Sequence, residues 1–83
     1  MINKKIVNAF EEFVGKRVFV ELKPNYKGKC SGYRCFVNEL IDAGDEEIFL
    51  DVKILSDIGT PAYIMLFQIK DIKKIEELDD DGN

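Results

Sequence analysis

The order of predicted secondary structure constrains the fold of this 83-residue chain more than any other feature of its sequence. A single helical pattern, over residues 3–14, is followed only by segments in which apolar and polar side chains alternate with a period of two. Short turns join these segments, so no crossover helix is available to connect parallel strands. The sequence therefore excludes a doubly wound sheet and predicts an antiparallel, mostly β protein.

The N-terminal helix is predicted from apolar residues at the spacing of one helix face. They are Ile6, Val7, Phe10, Phe13 and Val14. Asn3 is a suitable N-cap, and Gly15 is a suitable stop because glycine readily takes the left-handed conformation that ends helices. We therefore predict a helix over residues 3–14.

Strands are predicted after the helix from the alternating pattern and from the turn residues between segments. Their ranges are 16–23, 29–41, 47–55, 62–68 and 69–75. Gly32 interrupts the second strand, and glycine inside a strand marks a bulge, a bend or a close approach of another group to the backbone. A long bent strand helps to close a barrel, so we expect a small, strongly bent antiparallel barrel over residues 16–75.

The chain is long enough for one domain and too short for two, because so small a protein has one core at most. We assign residues 1–76 to this domain and expect residues 77–83 to form an acidic, disordered tail. Cys30 and Cys35 would point to opposite faces of one strand, so we expect free thiols. With no apolar run long enough for a membrane, the expected location is the cytoplasm.

Charge is distributed unevenly along the chain. Residues 1–36 hold eight lysines and arginines against three acids, a net charge of +5. Residues 37–83 hold four basic residues against thirteen acids, a net charge of −9. Since the whole chain is acidic, any binding to the phosphates of a nucleic acid must be local.

Residues that carry catalytic or metal chemistry are scarce. The chain has no histidine and two cysteines, whereas a structural zinc site needs four ligands. It also has no glycine-rich phosphate loop and no serine or cysteine in the context of an activated nucleophile. We therefore predict that the protein is not an enzyme and binds neither a metal nor a cofactor.

A group of basic and aromatic residues in the first half is the strongest candidate for a binding surface. It consists of Tyr26, Lys27, Lys29, Tyr33 and Arg34. Interleaved aromatic and basic side chains can stack on the bases and neutralise the phosphates of a single strand. The alternative is a solvated turn and strand face without a ligand.

Several segments of the chain resemble the Sm-like (LSm) family. Residues 14–22, VGKRVFVEL, look like the end of that family's helix followed by its GK-x-V-x-V-x-L first strand. The bent second strand with Gly32 and the closing segment FQIKDIKKI, residues 67–75, also match in order and length. The resemblance covers roughly residues 3–75 and implies an SH3-like/Sm-like barrel.

Membership of that family would imply assembly and RNA binding. Sm-like proteins pair the fourth strand of one subunit with the fifth strand of the next, which here implies a homo-oligomeric ring of roughly five to seven copies. Many of them bind RNA at the inner rim of the ring. The matching rim positions are Asn38, Leu40, Asp42, Gln68 and Lys70, and none keeps the residue typical of the family.

The first functional hypothesis is therefore a ring that binds single-stranded RNA or another single-stranded nucleic acid in RNA metabolism or regulation. A second is a protein-interaction or scaffold module on the same barrel, which the acidic second half and the altered rim residues favour. A third is another small barrel that forms no ring, such as a PRC-barrel or the C-terminal domain of ribosome-maturation factors. The VGK opening and the FQIKDIKKI ending also resemble those domains.

Overall fold

A computed structural model describes residues 4–45 and 47–78. Helix α1 (Lys4–Glu11) is followed by strands β1 (Arg17–Leu22), β2 (Gly32–Asp42), β3 (Ile48–Leu55), β4 (Pro61–Gln68) and β5 (Ile72–Glu77), with a 3₁₀ turn (Ile69–Asp71) before β5. The prediction of a mostly β protein with one N-terminal helix is confirmed. No helix of the described residues has the length and apolarity needed to cross a membrane.

The strands form one antiparallel sheet in the order β4-β3-β2-β1-β5. Neighbours along the chain pair with one another from β1 to β4, and β5 returns to pair with β1. Within the described residues β4 and β5 do not pair, so the sheet is open and does not close into the barrel expected from the sequence. Two strand edges are left accessible.

The open sheet is nevertheless strongly curled. Leu40 of β2 lies opposite Leu50 of β3, which lies opposite Phe67 of β4. In a flat sheet Tyr33 would be more than about 20 Å from Phe67, since it lies seven residues from Leu40 along β2. The Tyr33 and Phe67 ring centroids are instead 5.3 Å apart. The start of β2 therefore folds over the end of β4.

The curl encloses a single apolar core. Its members are Val18, Val20, Cys35, Val37, Ile48, Leu50, Val52, Ile54, Phe67, Ile69 and Ile72. From α1 and the turns after it, Val7, Phe10 and Phe13 pack against this core. Alternate residues of β3 are buried, as the period of two requires when one face of a strand is covered.

Helix α1 ends earlier than the apolar stripe predicts. Beyond Glu11 the amides of Phe13 and Val14 bond to carbonyls three residues back, and Gly15 has a φ of 82°. The Gly15 amide donates to the carbonyl of Val37 at 2.8 Å. This bond to β2 turns the chain away from the helix axis, so Phe13 reaches the core from a turn. The predicted cap, Asn3, lies outside the described residues.

Gly32 allows a close approach of a side chain to the backbone. A Cβ atom at this position would lie 2.5 Å from Cζ of Phe19, whose ring therefore covers the glycine. The bulge of β2 lies elsewhere, between Val37 and Glu39. Among the bulge, the bend and the close approach that a strand glycine can mark, Gly32 marks the close approach.

The end of the chain differs from the predicted fifth strand and tail. Residues 69–71 form the 3₁₀ turn and not the start of a strand. Strand β5 continues through Glu76 and Glu77, across the boundary between the predicted domain and the predicted tail. These glutamates lie opposite Phe19 and Val18 of β1, and the amide of Leu78 donates to the carbonyl of Arg17 at 2.8 Å. Ion pairs from Lys16 to Glu77 and from Lys74 to Glu76 accompany this backbone pairing, so the two glutamates are accommodated in the strand. The predicted tail beyond residue 78 lies outside the described residues.

Candidate nucleic-acid interface

The interior of the described part of the chain offers no polar site. No polar or charged side chain is buried among residues 5–45 and 47–78. The same residues contain no group of three or more acids or cysteines placed to hold a metal ion. Candidate binding sites are therefore found on the loops and on the sheet edges.

The connection between β1 and β2, residues 23–31, is an ordered loop that we call the lysine loop. Asn25 organises it, since its side-chain Oδ1 accepts hydrogen bonds from the amides of Lys27 and Lys29 at 2.8 and 3.1 Å. The Asn25 amide donates to the carbonyl of Lys29 at 2.9 Å, and its own carbonyl accepts from the amide of Gly28 at 2.9 Å. Four hydrogen bonds through one residue fix the turn.

The tip of the lysine loop presents one aromatic side chain to solvent. Tyr26 is 92% exposed, and the Lys27 ammonium lies over its ring at 5.5 Å from the centroid. Such a cation on an aromatic face gains about 0.5–1 kcal/mol at an exposed site. This contact therefore helps to hold the Tyr26 and Lys27 side chains together at the surface.

The sequence in and around the lysine loop is basic. The sequence has no acid between Glu21 and Glu39, and the loop itself carries Lys23, Lys27 and Lys29. Within the described residues these three lysines take part in no salt bridge. An acidic protein thus has one loop with a concentrated positive charge.

The structure separates the two remaining residues of the predicted basic and aromatic patch. Tyr33 is half-buried and its ring packs against Phe67, so it belongs to the core cluster. Arg34 is exposed on the other face of β2, opposite Phe19 of β1. Tyr26, Lys27 and Lys29 remain together in the loop, without an aromatic partner from β2.

The candidate rim residues of β2 occupy different environments. Asn38 is the extra residue of the β2 bulge, and Leu40 packs against the core opposite Leu50. Asp42 is exposed at the end of the strand, where its Oδ1 accepts a hydrogen bond from the amide of Gly44 at 2.9 Å. Leu40 is therefore a packing residue, and Asp42 caps a turn.

Gln68 and Lys70 lie at the end of β4 and in the 3₁₀ turn. Gln68 is half-buried opposite Phe49, on the outer face of the sheet, whereas Asp42 lies opposite the inward-facing Ile48. The register thus puts Gln68 and Asp42 at the same end of the sheet but on opposite faces. Lys70 is exposed.

The pairing of β5 with β1 places the 3₁₀ turn next to the lysine loop. The amide of Lys23 donates to the carbonyl of Asp71 at 2.8 Å, and Lys70 directly precedes Asp71. A rim candidate and the basic loop therefore meet at the base of the loop. The sequence pattern does not predict this contact, because Lys23 and Asp71 are 48 positions apart in the chain.

The edge strand β4 is the most apolar exposed element. Its sequence, PAYIMLFQ, contains no charged residue. Ile64 is 67% exposed and Leu66 is 55% exposed, both on the outer face, and Tyr63 is also exposed. Natural proteins usually protect an edge with charges, so an uncharged apolar edge marks a surface for pairing. The absence of charge over residues 61–68 is the sequence signal that could have identified it.

The opposite edge, β5, has a different character. Its sequence, IKKIEE, contains two lysines and two glutamates. Lys73 pairs with Glu21 at 3.8 Å, and Lys74 pairs with Glu76 at 3.8 Å, all at partly exposed positions. The two edges of the sheet are therefore chemically distinct, one apolar and one charged.

The two cysteines are free and lie in contrasting environments. Cys30 is exposed in the lysine loop, whereas Cys35 is buried in β2. Burial disfavours the thiolate and raises the pKa of the Cys35 thiol from 9.0 to about 12. The thiolate is the reactive species, so the two side chains should differ in reactivity.

We expect a chromogenic disulfide reagent to modify one thiol per native chain rapidly at pH 8, and the second only after denaturation. The Cys30→Ser variant should show no rapid reaction in the native state. Rapid modification of two thiols in the native protein would contradict the burial of Cys35.

Comparisons with protein-family models, curated protein sequences and solved structures found no match to this chain. Its class is therefore defined by the fold and the surface alone. It is a small, mostly β protein with an open, curled antiparallel sheet, one apolar edge strand and one basic loop.

Proposed function

We propose that the protein is an Sm-like module that assembles into a ring of identical copies and binds single-stranded RNA. In this ring β4 of one copy pairs with β5 of the next. The observation that carries the proposal is the uncharged, exposed edge strand β4, which pairs with β3 on one side and has no partner strand among the described residues on the other.

The exposed groups of β4 favour pairing with another strand. An edge strand carries unpaired backbone donors and acceptors, which a second strand can satisfy. Pairing also removes exposed apolar side chains from water, and each fully buried isoleucine or leucine contributes about 1.5–3 kcal/mol. A chain of 83 residues has a small core, and oligomerisation is a common way for small domains to complete their burial.

In a ring, the backbone donors and acceptors at both sheet edges of every copy have a partner strand. Pairing β4 with β4 of a second copy would leave two β5 edges open in the dimer. Pairing β4 with β5 is heterologous, so it repeats around an axis until the first and last copies meet. The order β4-β3-β2-β1-β5 puts the two strands at opposite edges of the sheet, as this arrangement requires.

The RNA part of the proposal is supported by the distribution of charge. Lys23, Lys27 and Lys29 form a local basic surface, and several copies in one assembly would multiply it. Multivalent contact strengthens binding to a long strand without any new type of contact.

A second candidate function is a protein-interaction module. An extended segment of another protein could add to β4 as an extra strand, with main-chain hydrogen bonds and side-chain contacts. The rim residues favour this candidate, because Gln68 is uncharged and the carboxylate of Asp42 already accepts a bond from Gly44. Salt separates the two functions, since binding to phosphates falls steeply with ionic strength and an apolar interface does not.

Light scattering on a sizing column tests the ring. The chain has a mass of 9.5 kDa, so a ring of roughly five to seven copies has a mass of about 50–65 kDa. We expect this mass in both low and moderate salt, because β4 has no charged residue and so forms no ion pair with β5 of the next copy. A mass of one or two chains under both conditions would refute the ring and leave the protein-interaction module.

A further inference from the structure

We infer that the lysine loop is the place where single-stranded RNA binds, with Tyr26 stacking on a base and Lys27 and Lys29 contacting the flanking phosphates. The inference rests on the RNA part of the proposed function and deepens it by naming the site. It moves the contact away from the rim positions that the resemblance implies.

The first step is the order of the loop before any ligand is present. Fixing the backbone of a residue costs roughly 1–2 kcal/mol, and a loop that is disordered when free must meet this cost on binding. The four hydrogen bonds of Asn25 fix residues 25–29 in the free protein. Binding therefore loses little free energy to ordering the backbone.

The second step is the position of Tyr26. At 92% exposure the ring has nearly all of its surface available. The Lys27 ammonium lies over one face, and no other aromatic ring of the described residues contacts it. The opposite face can accept a base, and stacking of this kind tolerates any base because each has a π-face.

The third step is the charge beside the ring. Lys27 is the next residue after Tyr26, and Lys29 is three residues away, with the chain turned back by Gly28 at a φ of 78°. A nucleotide stacked on Tyr26 therefore has ammonium groups near its phosphates. An acidic peptide would match the lysines but offers no planar base for the aromatic face, so nucleic acid fits the combined chemistry better.

The rim positions are less suited to binding RNA than the lysine loop is. Leu40 packs against the core and Asn38 lies in the β2 bulge. Gln68 carries no charge, and Asp42 would repel a phosphate. Lys70 alone provides a positive charge, and it lies next to Asp71 at the base of the lysine loop.

The test is fluorescence anisotropy with a labelled single-stranded uridine 15-mer over 50–200 mM salt. For the full-length Lys27→Ala/Lys29→Ala variant we expect about a tenfold to thirtyfold loss of affinity, with a logarithmic salt slope that is about 1.4 smaller, since each phosphate contact contributes about 0.7 for a single strand. For Tyr26→Ala we expect a loss of about fivefold to a hundredfold with an unchanged slope, because stacking involves no counterion release.

The matched control removes two lysines from another surface. Lys16 and Lys53 are exposed, and the β1–β2–β3 register puts them near the start of β1, away from the loop. Lys16→Ala/Lys53→Ala changes the net charge by the same amount and should retain most of the affinity. A control variant that loses as much affinity as the loop variant would show a non-specific charge effect and overturn the inference.

The outcomes separate this inference from the proposed function. If the loop variants bind as tightly as the native protein while Gln68→Ala/Lys70→Ala binds less tightly, the site is the rim and the inference is wrong. If the native protein does not bind the 15-mer at 50 mM salt, both RNA statements fail, while the ring is still judged by its mass. Equal competition by poly-glutamate would also overturn the inference, in favour of an acidic peptide.

Discussion

Replacing Ile64 by lysine is expected to shift the protein from its assembled form toward single chains. Ile64 is 67% exposed on the outer face of β4, so the substitution removes little from the core of the single chain. In the proposed ring the same side chain becomes buried beside β5 of the next copy. A lysine on an edge strand is a device by which natural proteins prevent such pairing.

The expected size of the effect follows from the loss of burial. Exchanging a buried isoleucine for a lysine removes about 1.5–3 kcal/mol of apolar burial at each interface. Each 1.4 kcal/mol is about a factor of ten, so association should weaken by roughly tenfold to a hundredfold per interface. Light scattering over a dilution series measures this change, and far-ultraviolet circular dichroism checks that the sheet is retained.

The matched control is Ile58→Lys. Ile58 is 85% exposed in the turn between β3 and β4, so the control introduces the same residue at a similarly exposed isoleucine that lies off the edge. We expect its assembled mass to equal that of the native protein. If Ile64→Lys retains the native mass at every concentration, assembly uses a surface other than β4.

The local elements could be predicted from the sequence because they depend on neighbouring residues. The alternation in β3 predicts a strand over residues 47–55, and the structure has it at Ile48–Leu55. The helix end could not be predicted as well, because the bond from Gly15 to Val37 joins the turn to a distant strand. Tertiary contacts, which the local pattern does not contain, thus set that boundary.

In the candidate site, too, some features could be predicted from neighbouring residues and others could not. Tyr26 follows Pro24 and Asn25 in a segment without periodicity, and turn residues of this kind predict an exposed loop. Tyr33 is different, because Cys35 and Val37 follow it at intervals of two and share its face of β2. That alternation predicts that the Tyr33 ring faces the core. The grouping of basic and aromatic residues by composition does not take this alternation into account.

The arrangement of the strands was beyond the sequence pattern. Alternation indicates which residues of a strand are buried, but it does not specify that β5 pairs with β1 or that β4 is left at an edge. Both features depend on contacts between residues far apart in the chain. The lack of charge in β4 was visible, but its meaning depends on knowing that the strand lies at an edge.

Replacing Phe67 by alanine is expected to cause the largest loss of stability. Phe67 is 4% exposed in the core, and its ring contacts Tyr33 across the curl of the sheet. Truncating a buried phenylalanine to alanine costs about 3–5 kcal/mol through lost burial and the cavity that remains. Native proteins have a total stability of about 5–15 kcal/mol, so the variant should lose a large part of its free energy of unfolding.

A milder substitution distinguishes the energy of the aromatic contact between Tyr33 and Phe67 from the energy of filling the core with side-chain volume. Phe67→Leu keeps an apolar group and should cost less than the alanine variant, and with Tyr33→Leu it completes a double-mutant cycle. An aromatic pair contributes about 0.5–1.5 kcal/mol beyond burial, which is the expected coupling. Urea unfolding at one fixed protein concentration measures it, because assembly would add stability that depends on concentration. Additive losses in the two single variants would mean that the contact between the two aromatic side chains does not stabilise the curl. Coupling of the expected size would mean that this contact stabilises the curl between the start of β2 and the end of β4.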